Sequence, residues 1–203
     1  MKIAVLASGG GSNLQALMDA CASGFVSARI AVVFSNKADA GALDRAKKAG
    51  IPTAVKSHKE LTPEDLDRAV VEALAPFKPD WICLAGYLRR VTSVLIGAYP
   101  NKILNIHPAL LPAFGGKGLY GMKVHQAVLE SGSQFTGATI HFVDERYDHG
   151  AILVQERVRV LEGDSPESLA HRVLEAEHRI YPQAVKLCVE GRVKLEGGKA
   201  LIL

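Results

Sequence analysis

Hydrophobic residues in the first half of the chain fall into short continuous runs, separated by segments in which they recur at helical spacing. The continuous runs predict five buried strands, at residues 2–7, 29–35, 53–55, 80–85 and 102–106. The segments between them predict helices over residues 12–24, 39–50 and 63–75. Thr62 and Pro63 form a strong start for the third helix, as N-cap and first-turn proline. Strands that are apolar throughout and alternate with helices are typical of a parallel sheet covered on both faces.

The pattern changes in the second half. Residues 135–144 and 151–160 alternate more and are separated by a short polar turn, which predicts an antiparallel pair at the edge of the sheet. Ser165 and Pro166 open a last long helix that reaches about residue 189. We therefore predict a single α/β domain over residues 1–203, with a phosphate-binding half (1–100) and a second half (101–203).

Composition narrows the possible classes of function. The chain has 203 residues, of which 48% are hydrophobic and 22% charged, as in an ordinary globular domain. Its net charge of +3 comes without a long basic run, which is weak support for nucleic-acid binding and suits a small anionic substrate equally well. The three cysteines are far apart and predict neither a disulfide framework nor a zinc site. No signal peptide or membrane span is predicted, so a cytoplasmic location is expected.

A glycine-rich loop, SGGGSN at residues 8–13, lies between the first strand and the first helix. Glycines allow the backbone to approach an anion, and the free N–H groups at a helix start favour negative charge. The loop has neither the dinucleotide nor the triphosphate signature, so a single phosphate is the simplest ligand. The alternative is a tight turn in which Ser12 is the N-cap.

The segment NIHPALLP at residues 105–112 follows the fifth strand, where open α/β sheets bind ligands. Asn105 and His107 are two residues apart on an extended segment, so both side chains point the same way. An amide beside an imidazole can stabilise an oxyanion and move a proton. The alternative is that both side chains merely cap the loop after the strand.

The segment GATIHFVDERYDHG at residues 137–150 contains a third candidate, Asp148. This aspartate precedes a glycine in a turn, where Asp and Gly are common for structural reasons alone. We expect His141, in the middle of the preceding strand, to be structural. We interpret Asp144 and Glu145 as solvated acids of the turn.

In this order and spacing, the three motifs resemble the phosphoribosylglycinamide formyltransferases, a branch of the folate-dependent formyltransferase superfamily. The resemblance covers nearly the whole chain, including SGGGSNLQAL, VFSNKADA, CLAGYLR, NIHPALLP, GATIHFVDERYDHGAIL and LEAEHRIYP. NIHPALLP alone indicates the wider superfamily. SGGGSN together with AEHRIYP indicates the branch that acts on glycinamide ribonucleotide.

The resemblance implies a Rossmann-like, mostly parallel sheet flanked by helices, with a C-terminal antiparallel edge extension. It implies an enzyme of purine biosynthesis with 10-formyltetrahydrofolate as co-substrate and no metal. The implied catalytic residues are Asn105, His107 and Asp148. The implied substrate-binding residues are Gly11, Ser12, Asn13 and Glu177. The implied folate-binding residues are Leu88, Arg89, Val91, Ile103, Asn105 and Val143, with backbone from residues 141–148.

The implied mechanism is attack of the substrate amine on the formyl carbon. Asn105 is expected to donate a hydrogen bond to the formyl oxygen, and a cationic His107 to stabilise the charge there. Asp148 is expected to hold His107 in its charged form, or to steer a water that relays the proton.

The chain departs from the family's pattern in two places. Between Pro112 and His125 it is a few residues longer, which leaves open the alignment of the loop and any role for Lys117 or His125. The arginine that the family often places near the start of the third helix is absent around Pro63. Three basic residues nearby could meet the folate glutamate tail instead: Lys56, His58 and Lys59.

Three alternatives stay open: a methionyl-tRNA-type formyltransferase, a formyltetrahydrofolate hydrolase and a non-catalytic phosphate-binding module. The first carries a C-terminal tRNA-binding domain and the second an N-terminal regulatory domain. Neither is expected here, because the first strand begins at Lys2 and the chain ends soon after its last helix. The predicted partners are small molecules, with no nucleic acid and no membrane. The protein is expected to be a monomer or a weak homodimer.

Overall fold

A computed structural model describes residues 1–203, which form nine strands and six helices. The strands are β1 (Lys2–Leu6), β2 (Arg29–Ser35), β3 (Thr53–Val55), β4 (Trp81–Leu84), β5 (Ile103–His107), β6 (Phe135–Phe142), β7 (Ile152–Arg159), β8 (Val193–Glu196) and β9 (Lys199–Ile202). The helices are α1 (Ser12–Ala22), α2 (Gly41–Lys48), α3 (Pro63–Leu74), α4 (Ser93–Ala98), α5 (Met122–Glu130) and α6 (Pro166–Val189).

Seven strands form one sheet in the order β3-β2-β1-β4-β5-β6-β7, and β8 and β9 form a separate antiparallel pair. The pairs β1–β2, β1–β4, β2–β3 and β4–β5 are parallel, whereas β6 and β7 are antiparallel. The predicted fold class, a mostly parallel Rossmann-like sheet with an antiparallel C-terminal extension, is therefore confirmed.

The chain divides into two compact units, residues 1–105 and 106–203. In the first unit, nearly every residue of β1, β2 and β4 is buried. Because the central strands of a parallel sheet are covered on both faces, they contain continuous apolar runs rather than alternating ones. That a single domain spans residues 1–203 remains a prediction.

The second unit is built around the 24-residue helix α6, which packs on β6 and β7. Its start is a capping box, in which the Ser165 hydroxyl accepts from the Ser168 amide at 3.2 Å and the Ser168 hydroxyl accepts from the Ser165 amide at 3.0 Å. The buried face of α6 follows helical spacing through Leu169, Val173 and Ala176.

Four elements were not predicted: the helices α4 and α5, and the strands β8 and β9 of the C-terminal hairpin. Helix α4 has only six residues, which is too short to show a helical period. Helix α5 follows a glycine-rich stretch and begins after Gly121 with no side-chain cap, so its start lacks the usual signal. No helix of the structure is both long enough and apolar enough to span a membrane.

Candidate active site

The glycine-rich loop joins β1 to α1, as predicted. Gly11 is the N-cap of α1, with a left-handed φ of 76°, and no side chain caps this helix start. Ser12 is the first residue of the helix, so the alternative in which Ser12 is the N-cap is wrong. A helix start without a side-chain cap presents its first amides to other acceptors, as an anion-binding loop requires.

Helix α2 packs tightly against this loop. The Ala42 amide donates to the Gly9 carbonyl at 3.0 Å, and the Arg45 guanidinium donates to the Gly10 carbonyl at 2.8 Å. A Cβ atom on Gly11 would lie 2.7 Å from the Cα atom of Ala42. Glycine is therefore required at position 11 by both its left-handed backbone and the close approach of α2.

Strand β5 carries Asn105 and His107. Alternate residues of a strand point to the same side, so both side chains project from one face of β5. Asn105 is half-buried, whereas the His107 side chain is only 5% exposed. His107 Nε2 lies 2.9 Å from the Phe114 carbonyl oxygen, and Nδ1 lies 3.6 Å from Asp148 Oδ2.

The Asp148 carboxylate lies between two imidazoles. Its Oδ2 faces His107, and its Oδ1 lies 3.7 Å from His141 Nε2. The Gly116 amide donates to Oδ2 at 2.9 Å. Asp148 has a left-handed φ of 53°, which aspartate tolerates better than most residues and which fits the predicted turn.

The electrostatics of this cluster follow from its burial. Desolvation lowers the pKa of His107, more than the Asp148 carboxylate and the Phe114 carbonyl raise it. Desolvation works to raise the pKa of Asp148, but the imidazoles of His141 and His107 and the Gly116 amide together bring it below its usual value. Burial therefore favours the neutral His107 ring beside an ionised Asp148 in the free protein. The expectation that a cationic His107 stabilises the charge on the formyl oxygen stays a prediction.

His141 belongs to the cluster, although it was expected to be structural. Its Nδ1 lies 2.8 Å from the Phe142 carbonyl, which leaves Nε2 facing Asp148. The pairing of β6 with β7 shifts register between Ile140 and His141, and such irregularities re-aim side chains next to active sites. The sequence signal that could have indicated this role is the position of His141 in the same motif, seven residues before Asp148.

The segment after NIHPALLP covers His107 and Asp148. Phe114 and Gly116 supply the carbonyl and the amide described above, and Phe114 has a left-handed φ of 55°. A Cβ atom on Gly115 would lie 3.2 Å from the Cβ atom of Asp148. Part of the segment whose alignment was left open therefore contacts two predicted catalytic residues. His125, on α5, is buried, and desolvation followed by the nearby His107 lowers the pKa of its imidazole.

The predicted folate-binding residues of the first unit lie near the ends of β4 and β5. Leu88 and Arg89 are exposed on the segment after β4, whereas Val91 and Ile103 are buried. Ser8 joins this segment to the glycine loop, because its hydroxyl accepts from the Leu88 amide at 2.9 Å.

The other predicted binding residues differ in exposure. In the second unit, Val143 is half-buried after β6, and Glu177 is buried on α6. Among the basic residues considered for the glutamate tail, Lys56 and Lys59 are exposed. His58 Nδ1 lies 3.0 Å from the Asn36 amide nitrogen.

Comparisons with known proteins show which sequences and structures this chain is similar to. The sequence profile described as "Formyl transferase" matches residues 1–185. The chain is similar to the chloroplastic phosphoribosylglycinamide formyltransferase of Arabidopsis thaliana, with 48% identity over 99% of this chain and 70% of that protein. It is also similar to the phosphoribosylglycinamide formyltransferase of Haemophilus influenzae, with 44% identity over 99% of this chain and 93% of that protein. A crystal structure of glycinamide ribonucleotide transformylase 1 from Symbiobacterium toebii superposes with a TM-score of 0.94 at 44% identity, and the match covers 100% of this chain and 94% of that one.

Proposed function

The chain belongs to the formyl transferase family, and on that premise we propose that it transfers the formyl group of 10-formyltetrahydrofolate to the amine of glycinamide ribonucleotide. The products are formylglycinamide ribonucleotide and tetrahydrofolate. One observation carries the proposal: the Asp148 carboxylate lies beside the buried ring of His107, which comes two residues after Asn105 on β5. A carboxylate, an imidazole and an amide are the groups that acyl transfer to an amine requires.

The first step forms the new bond. The amine nitrogen attacks the formyl carbon, and the C=O electron pair moves onto the oxygen. The Asn105 amide donates a hydrogen bond to that oxygen, and a donor of this kind is typically worth about 3–4 kcal/mol in the transition state.

The second step moves a proton. The negative oxygen favours a positive charge nearby, so as the attacking amine becomes acidic its proton passes through a water to Nδ1 of the neutral His107 ring, while Nε2–H donates to the formyl oxygen. Asp148 stabilises the resulting imidazolium and stays ionised, which its lowered pKa favours. The proton then passes to N10 of the folate, the bond from the formyl carbon to N10 breaks, and tetrahydrofolate leaves.

The Phe114 carbonyl marks where the formyl oxygen binds in this proposal. His107 Nε2 lies within hydrogen-bond distance of that carbonyl, an acceptor like the formyl oxygen. The substrate oxygen replaces the carbonyl as the acceptor of the His107 N–H group, and the segment around Phe114 therefore shifts when both substrates bind.

The remaining predicted residues bind the two substrates. Gly11, Ser12 and Asn13 hold the phosphate, which is supported by the uncapped start of α1. Glu177 contacts glycinamide ribonucleotide. The folate is held by Leu88, Arg89, Val91, Ile103, Asn105 and Val143. Binding the phosphate, far from the reacting carbon, positions the amine.

The decisive test compares formyl transfer with hydrolysis. Purified protein is mixed with 10-formyltetrahydrofolate, with and without glycinamide ribonucleotide, and both formylglycinamide ribonucleotide and free formate are measured. We expect the formylated nucleotide to accumulate and formate to stay near the uncatalysed level. Formate release that does not depend on the nucleotide indicates the hydrolase instead. If neither product forms, the protein is a phosphate-binding module instead.

The proposed partners are these two small molecules, with no nucleic acid, no membrane and no metal taking part. The predicted monomer or weak homodimer and the cytoplasmic location remain proposals. The Arabidopsis thaliana relative is named as chloroplastic.

A further inference from the structure

The segment between β4 and α4, residues 85–92, is held from behind by buried polar side chains at both ends. At its start, the Ser8 amide donates to the Gly86 carbonyl at 3.0 Å, and the Ser8 hydroxyl accepts from the Leu88 amide. The same hydroxyl donates to Asn36 Oδ1 at 2.5 Å, and both Ser8 and Asn36 are buried.

At its far end, the segment is held by Asp67 of α3. Asp67 Oδ2 accepts from the Thr92 amide at 2.6 Å and from the Thr92 hydroxyl at 2.8 Å. Thr92 is also the N-cap of α4, because its hydroxyl accepts from the Val94 amide at 3.3 Å. The orientation of Thr92 therefore depends on a carboxylate 25 residues away along the chain.

The middle of the segment is exposed, in contrast to its two ends. Leu88 is 41% exposed, and Arg89 is exposed as well. Behind them, Tyr87 is buried edge-on against Phe34, with ring centroids 6.4 Å apart. The bonds at both ends fix the backbone from which Leu88 and Arg89 project, and the Arg89 guanidinium donates to the Leu88 carbonyl at 2.7 Å.

Burying the Asp67 carboxylate to hold Thr92 has a cost in stability. Its side chain has no exposed surface, and desolvation raises the pKa of the carboxyl more than the Thr92 and Leu95 bonds lower it. An ionised carboxylate at this position therefore carries a desolvation cost in stability that a neutral amide of the same shape avoids. A charged acceptor, however, makes stronger hydrogen bonds than a neutral one, and so holds Thr92 more firmly.

We propose that Asp67 is a positioning residue for the folate co-substrate, which acts through Thr92 by fixing the segment that presents Leu88, Arg89 and Val91. The inference rests on the proposed function, because it takes that segment as part of the folate site. It predicts that stability and folate affinity respond in opposite directions when the charge of Asp67 is removed.

The first test is Asp67→Asn, which keeps the shape and one acceptor oxygen but loses the charge. We expect the melting temperature to stay the same or rise, and the KM for 10-formyltetrahydrofolate to increase about five- to tenfold, as a charged hydrogen bond is exchanged for a neutral one. The KM for glycinamide ribonucleotide should change less than twofold. The matched control is Glu72→Gln, the same change at an exposed position of α3, which should leave both KM values as in the wild type.

Two variants of Thr92 test the same hydrogen bonds between Asp67 and Thr92. Thr92→Val keeps the amide but removes the hydroxyl, and should raise the KM for the folate about threefold or more. Thr92→Ser keeps both donors and should restore the wild-type value.

The outcomes separate the inference from the proposed function. Wild-type protein that forms no formylglycinamide ribonucleotide overturns the proposed function and this inference with it. Active wild-type protein with an unchanged folate KM in Asp67→Asn overturns the inference alone. A lower melting temperature, with both KM values raised together, shows a merely structural role and also overturns it.

Discussion

At the scale of single residues, local backbone geometry fixes the position of Asp148, and its neighbours stabilise its ionised form. The turn after β6 puts it in a left-handed conformation, and the close approach of the Gly150 backbone to the Phe142 carbonyl leaves no space there for a side chain. His107 and His141 then face its two oxygens. The carboxylate therefore has one fixed orientation and a reason to stay ionised.

This arrangement predicts the effect of Asp148→Asn. The amide keeps the shape but cannot stabilise an imidazolium on His107, so we expect kcat to fall about 10²–10⁴-fold, the range typical of a lost acid–base group. Steady-state kinetics at saturating substrates measures this. Asp144→Asn is the matched control, because Asp144 lies in the same turn and bonds only His149 and the Arg146 amide in the structure. Wild-type turnover in Asp148→Asn would show that Asp148 has no catalytic role.

At the scale of elements, the glycine loop depends on α2 as much as on its own sequence. The backbone of Gly9 and Gly10 accepts hydrogen bonds from Ala42 and Arg45. Gly11 fits only because it has no side chain. The loop conformation is therefore set jointly by the two helices that follow β1 and β2.

The close contact between Gly11 and Ala42 of α2 predicts the effect of Gly11→Ala. The added methyl group must displace Ala42 and adopt a left-handed φ, which costs about 1–2 kcal/mol for the backbone alone. We expect a lower melting temperature and a KM for glycinamide ribonucleotide that rises about tenfold or more, with a smaller change in the KM for the folate.

The control for that experiment is Gly97→Ala. Gly97 lies in α4 with open space around it and an ordinary φ, so alanine should be neutral or slightly stabilising there. If Gly11→Ala keeps the wild-type KM for glycinamide ribonucleotide, position 11 does not contribute to a phosphate site.

At the scale of the whole molecule, buried histidines couple folding to pH. Burial, and then repulsion from the nearby His107 imidazole when that ring is protonated, lowers the pKa of His125 below its ordinary value of about 6.5. Between the ordinary and the lowered pKa, the unfolded chain binds a proton that the folded chain does not. The contribution of His125 to the free energy of unfolding is therefore fully present above about pH 6.5, and it is lost as the pH falls from there through the lowered pKa.

His125→Gln should weaken this dependence. We expect the free energy of unfolding, measured by urea titration with circular dichroism, to fall less between pH 7.5 and pH 5 in the variant than in the wild type. The comparison uses the slope, so a uniform loss of stability does not affect it. His171→Gln, at a side chain that is 75% exposed, should keep the wild-type slope. Equal slopes for wild type and His125→Gln would contradict the prediction.

Many of the strands and helix starts could be predicted from local sequence patterns. The runs that predicted β2 and β3 match the observed strands, Arg29–Ser35 and Thr53–Val55. Thr62 and Ser165 cap α3 and α6 as their sequences indicated. These features could be predicted because a strand's burial and a helix's cap depend on residues within a few positions of one another.

What the tertiary structure alone decided depends on residues that are far apart in the sequence. The sequence by itself determined β1 to β7 and the helices α1, α2, α3 and α6 along the chain, the glycine loop and the candidates Asn105, His107 and Asp148. Only the fold placed His141 against Asp148, Phe114 against His107, and Asp67 against Thr92. Burial in the fold also lowers the pKa of His107, because desolvation depends on everything packed around a side chain, which the neighbouring residues along the strand do not reveal.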